Sequence, residues 1–355
     1  MENRIAKLQE QLESDSAFCI QSPENRRYLT GFSSSAGCVL VTKTNSWFFT
    51  DFRYLEKAKQ QISHCLVEEL VGIVTTLSAK LKEHKVTRLF VETGYVSLQE
   101  FLSLRTKFEG IQVQAETRLD DVLQEMRMIK SQNELLKIQE AQRLTDETFS
   151  YILERIQPGR SEIDVMLDME FYMRKLGSEG VSFDFIVVSG ENSSLPHGVP
   201  TQKVVEEGDF VTMDFGAVVD GYHSDMTRTV GVGTLSEHQR QVYETVLQAK
   251  KCSMERIQPG KICKDIDKVA RDMIANAGFD GCFGHGLGHG VGLEIHENPS
   301  FNTRCETLLK PGMILTVEPG IYLENQFGVR IEDMIVVTEN GYTNLTKSTD
   351  QLIVL

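Results

Sequence analysis

Residues 284–297, GHGLGHGVGLEIHE, set His285, His289 and His296 among five glycines that alternate along the first part of the stretch. Such a segment suits a phosphate cradle, a metal site or a plain flexible loop. Spacing excludes the cradle: the dinucleotide fingerprint G-x-G-x-x-G needs a third glycine, and after Gly286 and Gly288 that place is taken by Val291. The zincin pattern H-E-x-x-H fails too, because Asn298, Pro299 and Ser300 follow His296-Glu297. A metal bound here must draw its remaining ligands from elsewhere in the chain.

Acids that could join these histidines stand in a repeat. ERIQPGRSEID at 154–164 returns as ERIQPGKICKDID at 255–267. In both copies a helical pattern runs into Ile-Gln-Pro-Gly, where Pro and Gly stop it, and an amphipathic helical stretch follows. Downstream, VVEEGDFVTMDFG at 204–216 aligns with TLLKPGMILTVEPG at 307–320, so Gly208 matches Gly312 and Asp214 matches Glu318. A second strand follows each and is expected to end in an acid: Asp225 in GYHSDMTRT, Glu332 in FGVRIEDMIVV. The pattern implies a duplicated helix-helix-strand-strand unit with a pseudo-two-fold axis, which brings Asp214 and Glu318, and likewise Asp225 and Glu332, to equivalent places.

Side chains two apart share a strand face, so Phe210, Thr212 and Asp214 point one way and Ile314, Thr316 and Glu318 do the same. A carboxylate ending an apolar face is costly to bury unless it is paired or coordinates a metal. One such acid reads as a salt-bridge partner; four arranged by a repeat read as a cation site, with the histidines supplying an imidazole. Four carboxylates and one imidazole favour a harder divalent ion such as Mn²⁺, with Co²⁺ or Zn²⁺ as alternatives. Two such ions balance four carboxylates, and metal pairs ~3.5–4 Å apart acidify bound water and suit hydrolysis.

These residues resemble the metal-ligand set of the pita-bread metallopeptidases, the family of methionine aminopeptidase, aminopeptidase P and prolidase. The resemblance rests on MDFG, SDMTRT, GHGLGHGVGLEIHE, TVEPGIY and GVRIEDM, in that order. It implies an α+β pita-bread fold with duplicated halves, in which Asp214 chelates one metal, Asp225 and Glu332 bridge two, and His289 and Glu318 hold the second. It further implies that His197, in LPHGVP, lies near the substrate, that His285 lines a proline-side pocket, and that Arg330 pairs with a ligand carboxylate. His296 would stabilise the intermediate or shuttle a proton, and Glu318 would take a proton from the attacking water. YLTGFSSSAG and FFTDFRY resemble the creatinase-type N-terminal domain of the Xaa-Pro-cleaving branch. The implied activity is hydrolysis of the bond between an N-terminal residue and proline. HGLGHGVG and the compact first domain lean towards the dipeptidase, prolidase, over aminopeptidase P, which takes longer peptides. A metal-free creatinase-like hydrolase and a non-catalytic peptide-binding relative are the rivals. The resemblance also implies a homodimer, with the first domain of one chain narrowing the partner's active site.

The remaining features set the frame. At 355 residues the chain is long enough for two domains. Alternating strand-like and helix-like segments place a small α/β creatinase-like domain at 1–125, and the catalytic domain at 126–355 begins near the capping-box pair Ser131 and Glu134. A net charge of -14 argues against nucleic-acid binding, which needs a basic surface. MENRIAKLQEQLESDS lacks the apolar region of a signal peptide, and no uncharged apolar run approaches the ~18 residues of a membrane span. Seven cysteines without a C-x-x-C favour a reducing compartment, the cytoplasm, and read as buried free thiols. His223, two residues before Asp225, is expected to play a supporting or surface role. Tyr222 reads as a strand aromatic, and His64, His84 and His238 as solvated.

Overall fold

A computed structural model describes residues 4–355. The chain divides into two compact units, one ending at Met126 and the other running from Arg127 to Leu355.

The first unit is built on six strands: β1 (Ser16–Ile20), β2 (Cys38–Thr42), β3 (Ser46–Thr50), β4 (Leu66–Glu69), β5 (Arg88–Val91) and β6 (Gln112–Gln114). They form one mixed sheet in the order β4-β3-β2-β1-β5-β6. The β2–β3 hairpin turns at Lys43-Thr44-Asn45, as the sequence predicts. Helices α1 (Arg4–Glu10), α2 (Pro23–Thr30), α3 (Phe52–Gln61), α4 (Ile73–Glu83), α5 (Leu98–Lys107) and α6 (Arg118–Met128) intervene. β1 and β2 are buried at every residue, as strands covered on both faces are, which accounts for their continuous apolar run. Of the histidines expected to be solvated, His64 is exposed, its Nε2 2.8 Å from Leu29 O, whereas His84 is half-buried, its ring edge-on to Trp47 with centroids 5.0 Å apart.

The second unit shows the duplication. Helices α7 (Gln132–Leu153) and α8 (Glu162–Lys175) cover a sheet of β7 (Ile186–Ser189), β8 (Phe210–Phe215) and β11 (Met226–Gly231), in the order β11-β8-β7. Between the last two lies a small ribbon, β9 (Val218–Val219) and β10 (Tyr222–His223). Helices α9 (Glu237–Met254) and α10 (Cys263–Ile274) serve the second sheet in the same way. Its strands are β12 (Gly288–Gly290), β13 (Glu297–Phe301), β14 (Ile314–Val317), β17 (Asp333–Thr338) and β18 (Gly341–Asn344), with β15 (Gly320–Leu323) and β16 (Phe327–Arg330) forming its ribbon. Gly208 and Gly312, matched in the repeat, both turn with φ 90°, a conformation that disfavours a side chain. α7 opens with the Ser131–Glu134 capping box.

Alternation then separates core from site. Val211, Met213 and Phe215 of β8 pack with Phe149, Val165 and Met169 of α7 and α8. Leu315 and Val317 of β14 pack with Val246, Ile266 and Ala270 of α9 and α10. Thr212, Asp214 and Thr316 therefore point away from the helices.

One expectation is corrected. Asp225 and Glu332 do not end strands: Asp225 falls in the break between β10 and β11, and Glu332 between β16 and β17. At these breaks the chain leaves a ribbon to join the main sheet. Glu332 N–H accordingly bonds across the two halves to Thr227 O, at 3.1 Å, instead of to a ladder partner. Thr229 Oγ1 donates to Arg330 O at 2.9 Å beside it. Behind this junction Arg228 and Lys250 bond Asp333 at 2.7 and 2.5 Å, Lys250 also pairs with Asp350, and all of Arg228, Lys250 and Asp333 are buried.

The thiol expectation is corrected in part. All seven cysteines are free, but only Cys19, Cys38 and Cys263 are buried. Cys65, Cys282 and Cys305 are half-buried because they lie in irregular segments, and Cys252 is a half-buried residue of α9.

Candidate metal centre

The five expected ligands converge. Asp214 comes from β8, His289 from β12, Glu318 from just beyond β14, and Asp225 and Glu332 from the two strand breaks. Pro319, which has no N–H to give a ladder, follows Glu318 where β14 stops. His289 Nε2 lies 3.4 Å from both Asp225 Oδ2 and Glu318 Oε1. Ligand atoms of Asp225, His289 and Glu332 all lie within 4.8 Å of one another. The glycines flanking His289 let strands close in: a Cβ on Gly288 would stand 2.0 Å from Thr316 O, and one on Gly290 2.7 Å from Asn298 O.

Four of the five are oriented by polar partners outside the set, and Asp225 by His289 within it. Arg330 Nη2 donates to Asp214 Oδ2 at 2.7 Å, and Thr227 Oγ1 to Glu332 Oε2 at 2.7 Å. Thr316 Oγ1 accepts from His289 N–H at 3.0 Å and donates to Glu318 Oε1 at 3.2 Å. His289 Nδ1 faces Gly290 O at 3.0 Å; with that nitrogen as the donor, Nε2 keeps its lone pair for the centre. What remains is informative. Asp214 Oδ1, Asp225 Oδ1 and Glu332 Oε1 are buried without a hydrogen-bond partner among the described residues. Buried carboxylate oxygens are rarely left so, and a cation is the partner that suits them.

Electrostatics agree. Burial, then repulsion from Asp214 and Glu318, pushes Asp225 well above the usual carboxylate range. Burial, then Asp225 and Glu318, does the same to Glu332, and burial raises Glu318. Among the described residues Arg330 is the one guanidinium ion-paired with any of these carboxylates, through Asp214. Burial opposes its charge, but Tyr322 and Asp214 outweigh that and hold it protonated. Four carboxylates and one guanidinium carry an excess of three negative charges when ionised. The residues thus fit divalent ions, with Asp214, Asp225, His289, Glu318 and Glu332 as the donors.

Asp214, Asp225, His289, Glu318, Arg330, His197, His285 and His296 all line one cavity of about 1140 Å³, whereas Glu332 lies beneath its surface. His296 is exposed, its ring centroid 4.4 Å from that of His289. His285 is tied at both nitrogens, Nδ1 to Gly286 O and Nε2 to Tyr322 Oη, each at 2.8 Å. Burial, and then Arg330, lowers its pKa to about 4, so it is neutral at pH 7. Arg330 Nη1 donates to Tyr322 Oη at 2.9 Å, completing a chain His285–Tyr322–Arg330–Asp214. His223 is not in the cluster; its Nδ1 lies 2.8 Å from Ser182 Oγ. Tyr222 is buried, and its hydroxyl donates to Glu134 Oε1 at 2.9 Å.

Sequence reasoning missed Thr227, Tyr322 and Arg304. Thr227 was readable in part, since it stands two residues after Asp225; nothing local marked Tyr322. Arg304 lines the cavity, and among the described residues its side chain has no ion pair.

A duplicated helix-pair-on-sheet fold closing on five such donors defines a pita-bread metallopeptidase. Residues 136–339 match Metallopeptidase family M24, and residues 4–129 match the Creatinase/Prolidase N-terminal domain. The chain belongs to metallopeptidase family M24, whose members work with divalent metal ions. It is 36% identical to a Pyrococcus horikoshii protein named Xaa-Pro dipeptidase, over 99% of each chain. It is similar to the solved structure of an Xaa-Pro dipeptidase from Bacillus anthracis, with TM-score 0.95 and 39% identity over 99% of each chain. It is similar also to an X-Pro aminopeptidase from Thermotoga maritima, with TM-score 0.91 and 35% identity over 98% of this chain and 100% of that one.

The segment after β12 generates a prediction. The side chain of Glu297, 6% exposed, accepts from Leu293 N–H at 2.9 Å, from Lys130 Nζ at 3.1 Å and from Arg127. Burial raises its pKa, but Lys130 and then Arg127 outweigh burial and bring it down to about 2. A depressed folded-state value stabilises fully above the unfolded pKa of about 4.3 and is lost as pH falls towards 2. Glu297→Gln is expected to remove about 3 kcal/mol of the fall in unfolding free energy between pH 5 and pH 2, read from urea melts across that range. A second expectation concerns the metals. Chelation lowers the Tm of the native chain, because ions bound only to the folded state add about 4 kcal/mol at a thousand times Kd. In chelator, Asp225→Asn melts above the native chain, having lost one repelling carboxylate; calorimetry compares the two.

Proposed function

We propose that the protein is an Xaa-Pro dipeptidase that works with two divalent ions, Mn²⁺ by preference, held by Asp214, Asp225, His289, Glu318 and Glu332. The observation that carries this reading is the convergence of five donors with three carboxylate oxygens left unpartnered. Divalent ions bound there would supply Lewis acidity to the scissile carbonyl and to a water molecule. The chain's own residues do the rest. Glu318 accepts the proton of the attacking water and delivers it to the leaving proline nitrogen. His296, exposed beside His289, donates a ring N–H to the developing oxyanion. Arg330 holds Asp214 in place, and Tyr322 holds Arg330. Both His197 and His285 line the cavity, His197 beside the substrate and His285 on the side that receives the proline residue.

The similarity to both an Xaa-Pro dipeptidase and an X-Pro aminopeptidase leaves the length of the substrate to the cavity itself. Arg304 favours the dipeptide: a guanidinium without an ion pair at the cavity wall suits the terminal carboxylate of a short peptide. Seven free cysteines support a reducing compartment, the cytoplasm. Among the described residues no helix is long and apolar enough to cross a membrane. A homodimer is supported by Leu167 and Phe171, exposed one turn apart on α8, and by exposed Leu195 and Val199.

Metal-stripped protein reloaded with Mn²⁺ is expected to cleave Ala-Pro in preference to Ala-Pro-Ala. Arg304→Ala is expected to raise KM for the dipeptide roughly ten- to a hundredfold, the worth of a hydrogen bond to a charged group, with little effect on the tripeptide. Preference for the tripeptide moves the assignment to the aminopeptidase P type. Light scattering is expected to give twice the chain mass; full activity in a monomer would sink the dimer.

A further inference from the structure

One buried carboxylate outside the metal centre is committed wholly to the loop that carries His197. Glu162, the first residue of α8, is 0% exposed. Its Oε1 accepts from Ser189 N–H at 2.6 Å, Ser189 Oγ at 3.0 Å and Asn192 Nδ2 at 3.1 Å. Its Oε2 accepts from Thr201 N–H at 3.0 Å and Thr201 Oγ1 at 2.7 Å. These donors come from both ends of residues 189–201 and from the 3₁₀ turn Gly190–Ser194 within them. An irregular segment leaves backbone N–H groups unpaired, and an ionised acceptor is the strongest local partner for them.

The tip of the same loop is different. His197 is exposed and makes no side-chain hydrogen bond among the described residues, and Val199 beside it is 76% exposed. Its one tie to the metal centre is through backbone: Pro196 O accepts from Arg330 Nη1 at 3.2 Å, and Arg330 pairs with Asp214. Within the loop Ser193 Oγ also accepts from Gly328 N–H of β16 at 2.9 Å, so the place of the imidazole in the cavity is set by this turn together with the clamped ends.

The repeat supplies an independent observation. Ile-Gln-Pro-Gly at 156–159 matches 257–260, so Ser161 and Glu162 match Ile262 and Cys263. The backbone there is the same in both halves, with Ser161 bridged to Val204 and Ile262 to Leu308. Only the side chain differs. The carboxylate clamps the loop that brings His197 into the cavity, whereas the second half, which brings His285, His289 and His296 there, has the thiol of Cys263 at the matching place and so has no such clamp.

We infer that Glu162 is a positioning residue for His197, clamping the two ends of the 189–201 loop so that its tip presents the imidazole to the substrate. This rests on the reading of His197 as a substrate-side group. The test is a double-mutant cycle of Glu162→Gln and His197→Ala in the full-length, Mn²⁺-loaded protein, with hydrogen exchange and metal content measured alongside. Glu162→Gln is expected to speed exchange at Ser189 and Thr201, to leave the bound metal unchanged, and to lower kcat/KM for Ala-Pro roughly ten- to a hundredfold. In the His197→Ala background it is expected to cost little more. Additive losses, loss of metal, or unchanged kcat/KM despite faster exchange would overturn the inference. Full activity of His197→Ala would overturn it by a separate route, since the reading of His197 itself would then fail. If Glu162→Gln does not fold, Thr201→Val removes a single bond to the carboxylate and enters the same cycle with the same outcomes.

Discussion

Four carboxylates must stay within reach of one another at this centre although burial and mutual repulsion both oppose their ionisation. The remaining architecture answers that constraint. Each half buries its own helix pair against its own sheet and leaves the opposite face to meet the other half. Where the halves meet, Thr227, Thr316 and Arg330 hold Glu332, Glu318 and Asp214 respectively, each by one carboxylate oxygen, and leave the other oxygen available to a cation. The ion-paired group of buried Arg228, Lys250 and Asp333 with half-buried Asp350 lies immediately behind Glu332. It is balanced in charge, so it braces the junction without adding to the repulsion in front of it.

The histidines are held by a different device. His197, His285 and His296 ride on irregular backbone, whose N–H groups cannot be satisfied by a ladder. Asp267, fully buried, accepts from Leu287 N–H at 3.0 Å, while its partner Arg271 donates to Phe283 O and His285 O. Glu297 does similar work between His289 and His296. Acids along these loops therefore serve two ends, some aimed at the centre and some at the backbone that carries the imidazoles.

The pseudo-two-fold axis is obeyed by the scaffold and broken by the chemistry. Glycine turns, helix pairs and carboxylates recur, but His285, His289, His296 and Arg330 come from the second half and only His197 from the first. Relatives named as a dipeptidase and as an aminopeptidase share this scaffold at TM-scores of 0.95 and 0.91.

Much of this was legible in sequence because it is periodic or repeated. Alternation in VTMDF and ILTVE separated the core face from the site face, and the six-residue string ERIQPG exposed the duplication and hence the paired acids. The capping box at Ser131 and the hairpin turn at Lys43 were local signals of the same kind. What stayed hidden depends on contacts between residues distant in the chain. The strand breaks at Asp225 and Glu332 could not be read, because they arise from the meeting of the two halves. Tyr322, 37 residues from His285, and Glu162, 39 residues from Thr201, carry no local mark of their roles. Composition and spacing alone determined which groups could bind a cation. Tertiary structure decided which oxygen of each faces it, because that choice is made by hydrogen-bond partners brought from other strands.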